Sequence, residues 1–285
     1  MHYTNHHAHS TFSDGQDTAE DCLLAALDQR MAGYGFSDHA PLVPTDTGSM
    51  SLATLDDYVT ETERLRSAYG DRIRVFRSLE VDYLPGRMSV DSDHIKSARL
   101  DYTVGAVHFI EELDGHPWSF QRPEPNFSRG IDEIFGGDAR AMVERYFELV
   151  REMVDHHPPD IVAHLDRIKK RNLRGGFWDE HADWFVRQID LTLDRIKRAG
   201  LILEVNTRGY YKGEIDETYP SRWIVARAHT LGIPLQVNSD SHEARHITAG
   251  FEFAFGALRD MGVERVHIFT GDTFEAVALA DILAV

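Results

Sequence analysis

The sequence predicts an α/β barrel of the TIM type, in which parallel strands alternate with helices. Short apolar runs of strand length alternate with longer segments of helical spacing about seven times along the chain. His, Asp and Glu residues follow many of the short runs, and the C-terminal ends of the strands carry the active sites of such barrels. The alternation, with no composition break or linker, therefore predicts one domain over residues 1–285.

In the first half of the chain, residues 18–30 are predicted as a helix because their leucines share one face at helical spacing. The charged segment 55–69 is predicted as a second helix. Apolar runs of strand length predict strands at 33–36, 73–81 and 102–107. Residues 111–126 are rich in proline and aromatic side chains, and an irregular stretch of that length inside a domain is typically functional.

The second half continues the same alternation. Helices are predicted at 139–156, 184–199, 221–231 and 246–261. Strands are predicted at 161–163, 201–205, 234–237 and 266–269. Gly200 marks the end of the helix before it, because glycine readily adopts the left-handed conformation that terminates helices. Residues 273–283 are expected to complete the alternation.

The composition restricts the classes of function. A formal net charge of -17 argues against a nucleic-acid partner, whose phosphate backbone needs a basic surface. It leaves room for a small phosphorylated substrate held by local cations or metal ions. Cys22 is the single cysteine, so that intrachain disulfides and cysteine-based zinc sites are excluded. The sequence has no apolar run of membrane-spanning length and no signal-peptide pattern, which predicts a cytoplasmic protein with no membrane partner.

The first candidate ligands are His7 and His9. Residues two apart in an extended strand point the same way, so two ring nitrogens can approach one Zn, Mn or Fe ion. A solvated histidine-rich terminus is the alternative, because His2 and His6 are close by. Ligand-type residues at the ends of six predicted strands favour a multinuclear metal site, and they are His7, His9, His39, Glu80, His108, His164, Asp240 and His242.

Together these motifs resemble the PHP (polymerase and histidinol phosphatase) superfamily. The matching segments are His7-Ala8-His9-Ser10, Ser13-Asp14-Gly15, Ser37-Asp38-His39-Ala40-Pro41, Arg77-Ser78-Leu79-Glu80-Val81-Asp82-Tyr83, Gly105-Ala106-Val107-His108-Phe109, Ala163-His164-Leu165-Asp166 and Ser239-Asp240-Ser241-His242. Leu203-Glu204-Val205-Asn206-Thr207 followed by Tyr219-Pro220-Ser221 resembles the stand-alone histidinol phosphatases. A DNA polymerase would need far more chain, which excludes the polymerase-associated branch as the whole protein.

The resemblance implies a distorted (β/α)7 barrel that holds three divalent metal ions. The ligands it implies for the first ion are His7, His9, Glu80 and Asp240. Those for the second are Glu80, His108 and His164, with Glu80 bridging. Those for the third are Asp14, His39 and His242. Some members of the family have a histidine where Asp14 stands, so the metal there is left open, and a turn residue before Gly15 is the alternative for Asp14.

The resemblance also implies hydrolysis of L-histidinol phosphate in histidine biosynthesis. A metal-bridging hydroxide would attack phosphorus in line, and Asp240 or His242 is the candidate proton donor to the leaving group. Phosphate dianions usually also meet Arg or Lys. The candidate substrate-binding cations are Arg208, Lys212, Lys169 and Lys170. A solvated surface charge is the alternative for each, and Arg208 is the preferred candidate.

Other functions stay open at this point. They are hydrolysis of another small phosphate ester, metal binding without turnover, and metal-dependent amide hydrolysis. Glu80 stands where an amidohydrolase typically has a carboxylated lysine, which favours phosphoester chemistry, and the complete ligand set disfavours a scaffold without turnover. Asp82, Glu111 and Glu112 are candidate partners for a substrate amine. Trp118 and Phe120 are candidates either for an apolar lid or for core packing.

Overall fold

The computed structural model describes residues 3–42, 48–172 and 175–283. The strands in these ranges are β1 Thr4–Asn5, β2 Gly33–Phe36, β3 Arg74–Arg77, β4 Glu80–Asp82, β5 Val104–Ala106, β6 Phe109–Leu113, β7 His116–Ser119, β8 Ile161–Val162, β9 Ile202–Asn206, β10 Leu235–Asn238, β11 Arg265–Phe269 and β12 Phe274–Ala278. The α-helices are α1 Ala19–Asp28, α2 Leu55–Tyr69, α3 Asp93–Ser97, α4 Asn126–Phe135, α5 Ala139–His156, α6 Asp183–Ala199, α7 Arg208–Tyr211, α8 Arg222–Leu231, α9 Phe251–Asp260 and α10 Leu279–Leu283.

Parallel strands form two sheets that meet at both edges. One sheet has the order β1-β2-β3, and the other has the order β10-β9-β8-β5-β4. Parallel bridges connect Ala8 to Ser241 and His39 to Glu80, so that the first sheet joins the second at each side. Since β3 and β4 are successive parts of one extended run, seven strand positions close the ring. The predicted distorted (β/α)7 barrel is thereby confirmed.

The core lies inside this ring and between the ring and its helices. All five residues of β9 are buried, as expected for a parallel strand covered on both faces. The helices bury one apolar face each; α5, for example, buries Met142, Val143, Tyr146, Phe147 and Val150. Cys22 is buried in the same core, as the sequence indicates. No helix within the described ranges is long and apolar enough to cross a membrane.

Two segments differ in kind from the prediction, and the helix predicted at 246–261 begins only at Phe251. Residues 111–126 contain the antiparallel hairpin β6–β7 and lead into α4, instead of forming one irregular loop. Trp118 and Phe120 are 5% and 0% exposed, so they pack in the core and form no lid. Residues 273–283 form β12, antiparallel to β11, and only then the short α10. The aromatic rings of Phe269 and Phe274 pack at 5.0 Å across this second hairpin.

Gly35 in β2 lies directly against Tyr102, whose hydroxyl donates a hydrogen bond of 2.9 Å to the carbonyl of His6. A Cβ atom at position 35 would overlap that hydroxyl. We expect Gly35→Ala to lower the free energy of unfolding by about 2–4 kcal/mol, measured by urea denaturation. Gly256→Ala, on α9 with nothing within 4 Å of the added Cβ, is the control and should be neutral or stabilising. Equal stability of the two variants would contradict this packing argument.

Candidate metal centre

The first and last strand positions of the ring bring the His7-Ala8-His9 segment beside Asp240. The His9 amide donates to the Ser241 carbonyl at 2.8 Å, and the Asp240 amide donates to the His7 carbonyl at 2.9 Å. As a result, Nε2 of His9 lies 3.3 Å from Oδ1 of Asp240. The extended segment directs both imidazoles to the same side, as the spacing predicts.

Glu80 lies at the centre of the ligand cluster and is 1% exposed. Ring nitrogens of five histidines lie within 3.6 Å of its carboxylate. The distances are 3.1 Å to His39, 3.3 Å to His7 and 3.4 Å to His9 from Oε2, and 2.8 Å to His164 and 3.6 Å to His108 from Oε1. Each oxygen thus faces a different group of imidazoles, which is the arrangement that a bridging carboxylate requires.

A third group lies at the rim. Oδ1 of Asp14 is 3.0 Å from Nε2 of His242, 3.8 Å from Nε2 of His39 and 3.9 Å from Nδ1 of His9. The Asp14 side chain is 38% exposed, in contrast to the buried Glu80. The turn that contains Asp14 also forms, because the amide of Gly15 donates to the Ser10 carbonyl at 2.9 Å. The structure therefore brings together all nine of the predicted metal ligands.

The donor set fits divalent metal ions. Four groups of three or four of these side chains have ligand atoms that all lie within 4.8 Å of one another. Nε2 of His7, both ring nitrogens of His9 and Nδ1 of His164 are buried and make no hydrogen bond within the described ranges. Buried polar atoms are normally paired, and a site of imidazole and carboxylate donors suits Zn, Mn or Fe. An ion would supply the missing partners of the ring nitrogens that face the cluster.

The charge states of Glu80 and His9 are compatible with metal binding. Burial raises the pKa of Glu80, but the neighbouring His39, His7 and His108 outweigh it and hold that pKa well below its ordinary value. Burial, together with the nearby His242 and His39, lowers the pKa of His9 to about 3. Glu80 is therefore a carboxylate and His9 a neutral imidazole at neutral pH, the forms in which each binds a metal.

Backbone strain is concentrated at two of these residues. His164 has φ of 25° and Asp240 has φ of 50°, both in the left-handed region that non-glycine residues seldom adopt. Such strain persists only where surrounding contacts hold it, and it is typical of functional sites. Among those contacts, His164 Nε2 lies 2.8 Å from Glu80, and Asp240 Oδ2 accepts a hydrogen bond of 3.1 Å from Asn206.

The carboxylates predicted to meet a substrate amine lie in different surroundings. Asp82 lies 3.0 Å from Nδ1 of His108 and also accepts the amide of that residue at 3.1 Å. It lines a cavity of about 150 Å³ beside the cluster, together with His39, His108, Ser119 and Gln121. Glu111 pairs with Arg145 at 2.7 Å and Glu112 pairs with Arg87 at 2.9 Å, both away from this cavity.

The four cations predicted to bind substrate are placed differently. Arg208 lies closest to the cluster: its Nη1 donates to the Asp240 carbonyl at 2.8 Å and contacts His242. Lys170 pairs with Glu214 at 2.9 Å, and Lys212 pairs with Glu243 at 3.3 Å. Lys169 is 3% exposed and pairs with Asp166 at 3.0 Å and Glu217 at 2.9 Å.

Sequence reasoning missed Arg167 as a candidate. It is buried, its guanidinium lies 4.8 Å from the ring centre of Tyr219, and its Nε donates to Gln121 at 2.9 Å. Its Nη1 makes no hydrogen bond within the described ranges, and Glu214 lies 3.6 Å away. Gln121 lines the cavity, so Arg167 lies one side chain away from that cavity. Its Nη1 is able to donate a hydrogen bond to a ligand there. Its position directly after the matching segment 163–166 was an available signal.

Comparison with known proteins agrees with this geometry. The sequence model of the PHP domain family matches residues 5–208. A probable histidinol-phosphatase of Deinococcus radiodurans is 28% identical over 86% of this chain and 88% of its own length. The histidinol-phosphatase of Bacillus subtilis is 26% identical over 86% of this chain and 96% of its own length. The structure of histidinol phosphate phosphatase from Lactococcus lactis, complexed with Zn, L-histidinol and phosphate, is 18% identical and covers 95% of this chain and 98% of its own, with a TM-score of 0.69.

Proposed function

Because this chain belongs to the PHP domain family, we propose that it is a metal-dependent phosphomonoesterase that hydrolyses L-histidinol phosphate to L-histidinol and phosphate. We propose further that residues 1–285 form a single phosphoesterase domain. The observation that carries the activity is the convergence of nine ligand-type side chains, with unpaired buried ring nitrogens, next to two arginines. The names of the relatives and the ligands of the Lactococcus lactis enzyme support the choice of substrate.

Three divalent ions, chosen among Zn, Mn and Fe, are part of this proposal. His7, His9, Glu80 and Asp240 would hold the first, Glu80, His108 and His164 the second, and Asp14, His39 and His242 the third. When bound, such ions stabilise charge on phosphoryl oxygens and lower the pKa of water to near neutrality. The chain's contribution is to fix these donors in a buried cluster at one edge of the barrel, so that no reorganisation is needed during reaction.

The cations beside the cluster would hold the phosphoryl group. Arg208 has Nη1 fixed by the Asp240 carbonyl, and Nη1 of Arg167, near the cavity, makes no hydrogen bond within the described ranges. Guanidinium groups bind phosphate oxygens in pairs of parallel hydrogen bonds, and this fixes the orientation of the group. Lys170, which pairs with Glu214, would add a positive charge to the surroundings of the phosphoryl group. That Lys212 and Lys169 contact the phosphate stays a prediction. The buried ion pairs of Lys169 with Asp166 and Glu217 suit a role in stabilising its loop.

Asp240 and His242 remain the two candidates for proton transfer to the leaving group. Burial raises the pKa of Asp240, but His7 and Arg208 outweigh it and hold that pKa well below its ordinary value. Asp240 is then a carboxylate at neutral pH, which suits a ligand better than a proton donor. His242 could donate a proton only from Nε2 while that nitrogen is free of metal, because Nδ1 accepts from Nη1 of Arg208.

The leaving alcohol would lie in the cavity next to His108. Asp82 and Gln121 line this cavity and can bind a cationic amine and an imidazole nitrogen, respectively. Of the three carboxylates considered for the amine, Asp82 is the one that faces the cavity. A phosphomonoester without such groups would make none of these contacts, which is the physical basis expected for selectivity.

The test is release of phosphate from L-histidinol phosphate beside a panel of nucleotide and sugar phosphates, after reconstitution with Zn, Mn or Fe. We expect a strong preference for histidinol phosphate, with kcat/KM reduced about 100-fold or more in His108→Ala. Activity on other phosphate esters alone would keep the centre and discard the substrate. Tight metal binding without turnover of any ester would favour a scaffold and contradict the proposal.

Lys170 gives the proposed site a dependence on pH. Burial and the neighbouring Arg167 lower the pKa of Lys170 to about 8, against the opposing effect of Glu214. Its positive charge is therefore present below pH 8 and is lost as the pH rises through that value. We expect KM for the phosphate ester to rise about threefold between pH 7 and pH 9. Lys170→Arg keeps its charge, so the same rise in that variant would refute this assignment.

A further inference from the structure

Glu204 is a carboxylate in the middle of a buried strand, and the proposed mechanism gives it no role. It lies in β9, between Leu203 and Val205, and is 0% exposed. A buried carboxylate is costly unless hydrogen bonds replace its hydration. The partners of Glu204 therefore indicate what the side chain does.

Four donors surround its two oxygens. Oε1 accepts from Nδ2 of Asn238 at 3.0 Å and lies 2.7 Å from Nδ1 of His7. Oε2 accepts the amide of His164 at 2.9 Å and Nδ2 of Asn206 at 3.0 Å. These partners come from four adjacent strand positions of the barrel, namely β1, β8, β9 and β10. One side chain thus connects four of the seven strand positions of the ring.

The contact with His7 fixes the proton of that imidazole. An ionised carboxylate can only accept hydrogen bonds, so Nδ1 of His7 carries the proton. With a metal ion in place of the proton on Nε2, that nitrogen would present its lone pair to the cluster; it lies 3.3 Å from Glu80 and makes no hydrogen bond within the described ranges. A histidine ligand held by a carboxylate on its other nitrogen has a fixed orientation and a more basic donor atom.

The contact with His164 acts on the backbone. His164 has φ of 25°, and its amide is held by Glu204 on one side while its ring lies against Glu80 on the other. Loss of the carboxylate would leave a buried amide unpaired at a strained position. Such a residue relaxes toward ordinary backbone angles when its restraints are removed.

We propose that Glu204 is a positioning residue of the metal centre, which sets the tautomer and direction of His7 and holds the His164 backbone in its ligand conformation. The inference rests on the proposed metal centre, but it does not depend on the identity of the substrate. Glu204 makes no contact with the reacting atoms in this assignment, and it acts through the two histidines.

The test compares Glu204→Gln and Glu204→Asp with the parent protein. Glutamine keeps the size of the side chain, but its amide places a donor against the donors of Asn238, Asn206 or His164. We expect the affinity for Zn, measured by chelator competition without substrate, to fall about 10-fold to 100-fold in the glutamine variant and less in the aspartate variant. In the zinc-loaded parent, nuclear magnetic resonance of ¹⁵N-histidine-labelled protein should show a slowly exchanging Nδ1–H of His7, which Glu204→Gln should lose.

If Glu204 only stabilised the fold, its substitution would lower stability without a specific loss of affinity for Zn. Two controls distinguish that role from positioning of the ligands. Asp101→Asn removes a carboxylate that accepts the Arg77 amide at 2.7 Å and pairs with Arg66, neither of which is a proposed metal ligand. It should lower thermal stability and leave the affinity for Zn unchanged. A double-mutant cycle of Glu204→Gln with His7→Ala should show that most of the loss in affinity is shared.

Wild-type affinity for Zn in a folded Glu204→Gln variant, or full additivity with His7→Ala, would overturn the inference. If the glutamine variant fails to fold, the aspartate variant and its cycle with His7→Ala provide the same comparison. If the parent binds Zn but hydrolyses no phosphate ester, the proposed function fails while weakened binding in the variants still supports the role of Glu204.

Discussion

Glu80→Gln is expected to lower kcat by at least about 1000-fold and to reduce the metal content of the purified protein. The substitution preserves the shape of the side chain and removes its negative charge. Five imidazoles lie within 3.6 Å of this carboxylate, and a neutral amide would turn a donor group toward some of them. The carboxylate that would bridge two ions would then lose its negative charge and one of its two acceptor oxygens.

The measurement is metal content by elemental analysis together with steady-state kinetics on histidinol phosphate. Glu112→Gln is the control, because Glu112 is 53% exposed and pairs with Arg87 outside the cluster. It should retain parental kcat and metal content. A Glu80→Gln protein with full metal content and more than a tenth of parental kcat would show that Glu80 does not bridge the ions.

Replacing Arg208 by methionine is expected to lower kcat/KM for phosphate esters about 100-fold. Methionine keeps much of the apolar stem and removes the guanidinium. Loss of a charge-assisted contact with a phosphoryl oxygen costs roughly 1.5–3 kcal/mol, and 1.4 kcal/mol corresponds to a factor of ten. The His242 ring also loses the Nη1 contact that orients it, so kcat should fall along with affinity.

Inhibition by inorganic phosphate gives a second readout, because it reports the anion site without chemistry. Its inhibition constant should rise in Arg208→Met and rise further when Arg167→Met is added. Arg198→Met, on α6 with a side chain 69% exposed, is the matched control and should behave like the parent. Parental phosphate inhibition in the double variant would place the anion site elsewhere.

Sequence patterns predicted most of this fold because the long elements carry strong local signals. Helices α2 and α5 begin and end where their periodicity predicts, and Gly200 adopts φ of 69° at the end of α6. The hairpin β6–β7 was missed although Asp114-Gly115 is a strong hairpin signal. Both residues have positive φ, 55° and 77°, as a tight two-residue turn requires. The surrounding proline and aromatic residues masked that dipeptide.

The candidate ligands were predictable for a different reason. All but Asp14 lie at or shortly after the end of a strand, and the closure of a parallel barrel brings such ends together whatever the loops do. Glu204 and Arg167 could not be assigned in the same way. A carboxylate inside a strand and an arginine after one are ordinary in sequence, and their roles depend on distances to His7 and Gln121 that only the folded chain defines.

The pairing of the first and last strands of the ring has a consequence for the order in which the protein folds. Asn5 donates to the Ser239 hydroxyl at 2.8 Å across 234 residues of chain, and Ala8 bridges Ser241. Contacts this distant in sequence form late, because a long loop must close first. During synthesis on a ribosome, His7 and His9 emerge well before Asp240. The proposed first metal site would therefore be complete only after the last barrel strand has been made.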